Sequence, residues 1–295
     1  LFNVYIWCFF IVALLFGFIF VCSNSLLLII FCLESVNMLL IPLCLYGFGG
    51  GLHDGHVTKR SAIVMFFVGS LSGVLIVYGW VYSVMSFVWL GISLKFGFFP
   101  FSWWVYSVVG GFDYVAILYM SVFHKLVVVL LGFSFVINSS WLGLGFFLSI
   151  MLVSFFLLFS PGYVSFLSGC LVVSSLVMFC IVGYVNFILL VTLLIFGWIY
   201  HYLLLEFFSS CFLRDGFSGV LWFESLWFVF IFVSFPVGFG VFYKLLSLYC
   251  LGFVSLLYSF MWGFYQVLEQ IWAINLVFSF GGIGYYSEYS CFRLV

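Results

Sequence analysis

The stretch Leu94-Lys95-Phe96-Gly97-Phe98-Phe99-Pro100-Phe101-Ser102-Trp103-Trp104 sets a cation and two helix-breaking residues inside a long apolar run. Proline lacks the backbone donor and clashes with the preceding turn, so a helix through 84–108 has to break. In lipid, the freed backbone groups must be met by protein or by water in a cavity. Transporters build sites near the membrane midplane from such discontinuous helices beside buried ions. The grouping returns at Pro236-Val237-Gly238-Phe239-Gly240, with Lys244 close behind. A proline kink alone means little; beside a buried lysine, in two helices, it points to a polar site inside a membrane.

The rest of the chain supplies that membrane setting. Of 295 residues, 68% are hydrophobic and 5% charged, with a formal net charge of −1. Soluble domains carry about 25% charged residues, so this chain cannot clothe a water-facing surface and a soluble enzyme is excluded. Seven Lys and Arg spread along the sequence make no basic face, which excludes a free-standing nucleic-acid binder. A barrel would show strands of about ten residues with alternating polarity, whereas these apolar runs are long and unbroken. The reading is an all-α polytopic membrane protein.

A span needs about 20 apolar residues. Helices are expected at 2–22, 25–47, 60–82, 84–108, 114–136, 141–159, 162–182, 185–207, 221–247 and 250–284, the last in one or two pieces. That makes ten to eleven transmembrane helices, two of them discontinuous, in a single membrane domain over 1–295. The polar breaks are Ser23-Asn24-Ser25, the loop Gly49 to Arg60, Gly110-Gly111, Asn138-Ser139-Ser140, Ser160-Pro161-Gly162 and Ser209 to Ser218. The loops holding Lys59, Arg60 and Arg214 fall on one side, and the links on the other side carry no Lys or Arg. By the positive-inside rule these loops and the amino terminus face the inner compartment.

Composition also speaks of the gene. Alanine occurs only at Ala13, Ala62, Ala116 and Ala273, threonine at Thr58 and Thr192, and glutamine at Gln266 and Gln270, against 45 phenylalanines. Alanine is otherwise common in membrane helices, so physics does not explain its scarcity. A T- and G-rich coding strand does, and such bias is frequent in organelle genomes; the expectation is mitochondrial coding. The start at Leu1 fits a processed end or an unusual start codon, and no cleavable signal peptide stands out. The nine cysteines form no C-x-x-C pair and lie mostly within apolar runs, so they read as small core residues rather than a zinc or disulfide framework.

Asp54, Lys59, Arg60, Arg214, Asp215, Glu288 and Arg293 fall in polar links or at the carboxyl end. The informative charges lie inside spans: Glu34, Lys95, Lys125 (preceded by His124) and, late in the 221–247 span, Lys244. A charge at the membrane centre costs about 2.5–3.5 kcal/mol on insertion scales, so pairing, water or function has to offset it. A lysine near a helix end can snorkel its ammonium to the interface, and a glutamate can persist as a hydrogen-bonded neutral acid. One acid and three lysines on separate helices instead suggest a polar track. Burial readily shifts the proton affinity of lysine, and a neighbouring carboxylate shifts it back, so such groups can relay protons. His124 is expected on a different helix face from Lys125, as a relay neighbour. His201 and Glu206 would form a side branch. His53-Asp54-Gly55-His56 is a faint metal pattern better read as a solvated loop, and Gly47 to Gly51 completes no dinucleotide fingerprint.

The segment Leu94 to Trp104, followed by His124-Lys125, resembles NADH–ubiquinone oxidoreductase chain 2, the mitochondrially encoded antiporter-like subunit of respiratory complex I. That family places a lysine before glycine, Pro-Phe and Trp, and a second lysine about thirty residues on; Lys95 and Lys125 keep the spacing. Leu33-Glu34-Ser35-Val36-Asn37-Met38-Leu39 looks like the family's helix with a buried glutamate. Phe235 to Gly240 with Lys244 resembles its second broken helix and terminal lysine. The likeness is most specific over 30–130 and weaker over 230–245; the length suits the short animal form, and Gly111-Phe112-Asp113-Tyr114 looks like a worm version. Ser160-Pro161-Gly162 departs from the family, standing where a basic residue is expected.

The resemblance implies an antiporter-like fold and a proton relay in which Glu34 modulates Lys95, Lys125 is central, and Lys244 lies nearest the intermembrane space. It implies no redox cofactor in this chain, with NADH, FMN, iron–sulfur clusters and ubiquinone handled by other subunits. Its partners would be the other membrane-arm subunits, including the sister antiporter-like chains, accessory subunits and inner-membrane lipids such as cardiolipin, with no nucleic acid. The location would be the mitochondrial inner membrane, amino terminus on the matrix side. Against this stand a seven-helix receptor, which needs fewer spans; a structural spacer of the membrane arm whose lysines carry no protons; and a stand-alone cation/proton exchanger.

Overall fold

A computed structural model of the chain describes residues 34, 35, 38, 41, 55–111, 114–134, 140–159, 162–213, 232 and 239–281. Among the described residues the structure is all helical, with nine helices: α1 (Gly55–Val81), α2 (Met85–Phe96), α3 (Trp103–Val109), α4 (Tyr114–Ser134), α5 (Ser140–Phe159), α6 (Tyr163–Ile181), α7 (Phe187–Leu213), α8 (Phe239–Val254) and α9 (Leu256–Gly281). Spans expected at 2–22 and 25–47, the metal-like His53-Asp54 pattern, Pro161, Arg214, Asp215 and the Pro236 break lie outside the described residues, apart from isolated helical positions such as Glu34 and Ser35. The chain forms two compact units, Leu1–Ser149 and Ile150–Val295.

Among the described residues three helices are long and apolar enough to cross a membrane, over Val57–Val81, Tyr163–Ile181 and Phe187–Ser209; Met85–Phe96, Ala116–Val129, Gly143–Phe159 and Gly240–Val254 are shorter apolar helices. The polarity of surface and core supports a membrane setting. Large apolar side chains point outward, among them Phe67, Val74, Ile188 and Leu256, while Lys95, Lys125, Lys244 and Glu269 are buried. A water-soluble fold would do the reverse. Buried hydroxyls are met within their own helices: Ser72, Ser168, Ser174 and Ser175 each donate to a carbonyl three or four residues back.

In the first unit, α1 and α2 form a hairpin held by small residues. A Cβ on Gly79 would stand 2.6 Å from Val88 N, and one on Gly91 would stand 2.6 Å from Ile76 Cγ1 and 2.9 Å from Ser72 O. Bare backbone at both positions lets the helices approach closely, the common device where lipid offers no hydrophobic drive between them. Lys59 and Arg60, expected at the end of a loop, lie exposed in the first turns of α1, which starts earlier than hydropathy suggests.

In the second unit, α8 packs against α6, α7 and α9. Nearly every side chain of α6 is buried, so this helix is the unit's core. The expected stop at 247 is absent: α8 runs on to Val254, and a one-residue interruption at Ser255 separates it from α9. Lys244 sits in the second turn of α8, and the upstream part of the span expected over 221–247 lies outside the described residues, Phe232 apart.

Candidate functional site

The break in 84–108 is built as its residues dictate. α2 ends at Gly97, whose φ of 69° is a left-handed conformation open to glycine at little cost. The Gly97 and Phe98 amides both donate to Ser93 O, closing the helix end. The Phe99–Pro100 peptide is cis, and Phe101 N–H turns back to Phe98 O at 2.7 Å before α3 begins at Trp103. The groups the break frees are met by side chains. The Trp104 indole N–H donates to Leu94 O at 2.8 Å, and Ser149 Oγ accepts from Phe99 N–H at 2.8 Å.

Lys95 stands in the last turn of α2, where the helix dipole favours a cation. Its Nζ donates to Glu34 Oε1 at 2.8 Å, with the lysine 3% and the glutamate 27% exposed. The carboxylate fits because Gly73 of α1 has no side chain: a Cβ there would lie 2.7 Å from Oε1. The pair thus needs α1, α2 and the helical turn at Glu34. On α4, the His124 ring meets Phe96 edge-on at 5.8 Å and Trp104 at 6.0 Å, and it interacts electrostatically with Lys95. His124 faces the broken helix. Lys125, one residue on, is 1% exposed. The first unit therefore brings Glu34, Lys95 and His124 together and buries Lys125 beside them in sequence.

A second polar cluster lies in the second unit. Lys244 Nζ donates to Phe232 O at 3.1 Å and stands 4.7 Å from the centre of the Phe232 ring. Tyr200 of α7 stacks on Phe232 at 5.9 Å and on Tyr243 at 5.2 Å. The Tyr200 hydroxyl donates at 3.4 Å to Oε1 of Glu269 on α9, and Cys170 Sγ of α6 donates to the same oxygen at 3.1 Å. Tyr265 OH lies 4.0 Å from that sulfur. Lys244 and Glu269 interact electrostatically.

His201 is buried with Nδ1 2.8 Å from Gly197 O. A carbonyl only accepts, so Nδ1 carries the proton and Nε2 faces Ser174 Oγ at 3.5 Å. Glu206, expected beside His201, is instead exposed on α7: the two are five residues apart, and a helix turns them to different faces.

Glu269 is the residue that reading the sequence passed over. It is 2% exposed, in a run taken only as an apolar span. The available signal was Gln266-Val267-Leu268-Glu269, two polar residues one turn apart at membrane depth. Cys170, read as a small core residue, is buried but also serves as a thiol donor. Among the described residues no group of His, Cys, Asp and Glu is arranged to hold a metal ion. The first cluster sets lysine and carboxylate in direct contact, and the second buries Lys244 and Glu269 among aromatic side chains. No family model and no curated protein sequence matches the chain.

Proposed function

We propose that the chain is an antiporter-like membrane-arm subunit of respiratory complex I, similar to NADH–ubiquinone oxidoreductase chain 2. In this reading it relays protons through Glu34, Lys95, Lys125 and Lys244 in the mitochondrial inner membrane. Electron transfer from NADH to ubiquinone in other subunits would drive the relay, and this chain would bind no redox group. The observation that carries the proposal is the Lys95–Glu34 ion pair, 2.8 Å long and set at the end of a broken helix. A buried lysine at a helix end, held by a carboxylate from another element, changes its hold on a proton when that carboxylate moves. The resemblance of Leu94 to Trp104 and of Lys125 to the family pattern supplies the rest.

The test compares proton pumping and NADH oxidation in the assembled complex, wild type against Lys125→Met. The expected result is lost pumping with the complex intact. Unchanged pumping and oxidation would remove Lys125 from the relay and leave the spacer reading ahead.

A further inference from the structure

We propose that Glu269 is the carboxylate partner of Lys244 and exchanges a proton with it, so that the second unit holds an acid–base pair of its own. The inference deepens the relay reading and rests on it only for biological use; whether the two side chains titrate as a pair is a separate matter. Three observations carry it. Lys244 is 8% and Glu269 2% exposed, and among the described residues of this unit the other acid, Glu206, faces outward. A buried lysine with no anion in its surround is costly, and Glu269 is the buried acid among the described residues of this unit, beyond direct ion-pair contact with Lys244 Nζ and joined to its surround through Tyr200. Tyr200 joins the two sites: its ring lies on Phe232, whose carbonyl holds the ammonium, and its hydroxyl reaches Glu269 Oε1. Finally, Oε1 accepts from Tyr200 and Cys170, the Gln266 side chain one turn back bears on the same carboxyl group, and Oε2 is buried with no partner at hydrogen-bond geometry among the described residues.

That asymmetry suits a carboxyl group that alternates between ionised and protonated forms. Oε1 is held in place, and Oε2 is the oxygen left to carry a proton. The exchange moves one proton: the O–H bond of Glu269 breaks, an N–H bond of Lys244 forms, and the pair goes from two neutral groups to an ion pair of zero net charge. The surround keeps the exchange out of water. Trp272, one turn on from Glu269, stacks on Phe166 at 4.1 Å, and Phe166 meets Phe232 at 5.1 Å. The titratable groups bearing on the pair are Cys170 from α6, Tyr200 and His201 from α7, Tyr243 from α8 and Tyr265 from α9. His201 is turned to Ser174 and Gly197.

The experiment records infrared difference spectra across a pH titration of the protein in its native membrane. The variants are Glu269→Gln, Lys244→Met and Cys170→Ala, with Lys59→Met on the exposed start of α1 as control. A carboxyl C=O band is expected in wild type and lost in Glu269→Gln. Its midpoint should move by about one pH unit, tenfold in proton concentration, in Lys244→Met. It should move in Cys170→Ala and stay in Lys59→Met. If Glu269→Gln does not fold, one carboxyl band moved by both Lys244→Met and Cys170→Ala supports the pair. A band unmoved in both overturns it, as does a spectrum from which Glu269→Gln removes nothing. A moved band with unchanged pumping in Lys125→Met keeps the pair and drops the relay; an unmoved band with lost pumping drops the pair and keeps the relay.

Discussion

Glu34 Oε1 occupies the space beside Gly73 that a side chain would fill, 2.7 Å from where a Cβ would stand, and the same oxygen accepts a hydrogen bond from the Lys95 ammonium at 2.8 Å. A glycine on α1 thus makes room for an ion pair to which it contributes no atom.

Gly73→Ala should separate local from tertiary effects. Alanine favours a helix over glycine by about 0.8–1 kcal/mol, so α1 itself gains. The carboxylate, however, has to leave its place, and the Lys95 contact goes with it. The expected outcome is a net loss of thermal stability in the wild-type background and a net gain in Lys95→Met, where no pair remains to disturb. Equal effects in both backgrounds would show that the close approach does not matter.

The two members of the pair should not be equally expensive to remove. Glu34→Gln leaves a lysine that is 3% exposed without its carboxylate, the case in which breaking a buried pair costs about 3–5 kcal/mol. Lys95→Met leaves a glutamate that is 27% exposed and can turn to water or to headgroups. Denaturant unfolding of the solubilised protein should rank Glu34→Gln as the more damaging change. The opposite ranking would mean that water already reaches Lys95.

Trp104→Phe keeps an aromatic ring beside His124 but deletes the donor to Leu94 O. Leu94 is buried, so its carbonyl loses the indole partner and the expected cost is about 1–3 kcal/mol. Amide exchange at the end of α2 should speed up more than in α6. Uniform change across both helices would argue for a general packing loss instead.

Gly97→Ala combines two penalties that a second change can part. The left-handed φ of 69° costs an alanine about 1–2 kcal/mol, and its Cβ would collide with Val105. Adding Val105→Ala should recover the collision and leave the backbone cost. Full recovery of the melting temperature in the double variant would show that φ adjusts freely at this position.

Much of the architecture could be read from residue order because its causes are local. Gly97 and Pro100 break a helix whatever surrounds them, and long apolar runs make helices wherever the backbone must satisfy itself. Burial of Lys95, Lys125 and Lys244 followed from their place in those runs. Helix limits were less legible. Lys59 and Arg60 entered α1, and α8 passed the polar Ser247, because serine donates within its own helix and need not end it.

The pairings were a different matter. Glu34 and Lys95 are 61 residues apart, and Cys170 and Glu269 are 99 apart; no periodicity links positions so distant. The Glu34–Lys95 pair entered the sequence reading only through a family likeness. Glu269 did not enter at all, although it is an acid inside an apolar run as Glu34 is, and its neighbours on α6 and α7 lie 99 and 69 residues away. His201 and Glu206, joined on paper, were parted by the helical turn. Backbone rules act within about four residues and are written in the order of the chain. Which side chain meets which depends on how α6, α7, α8 and α9 rotate as they pack, and that rotation is settled by the shape of all their faces at once.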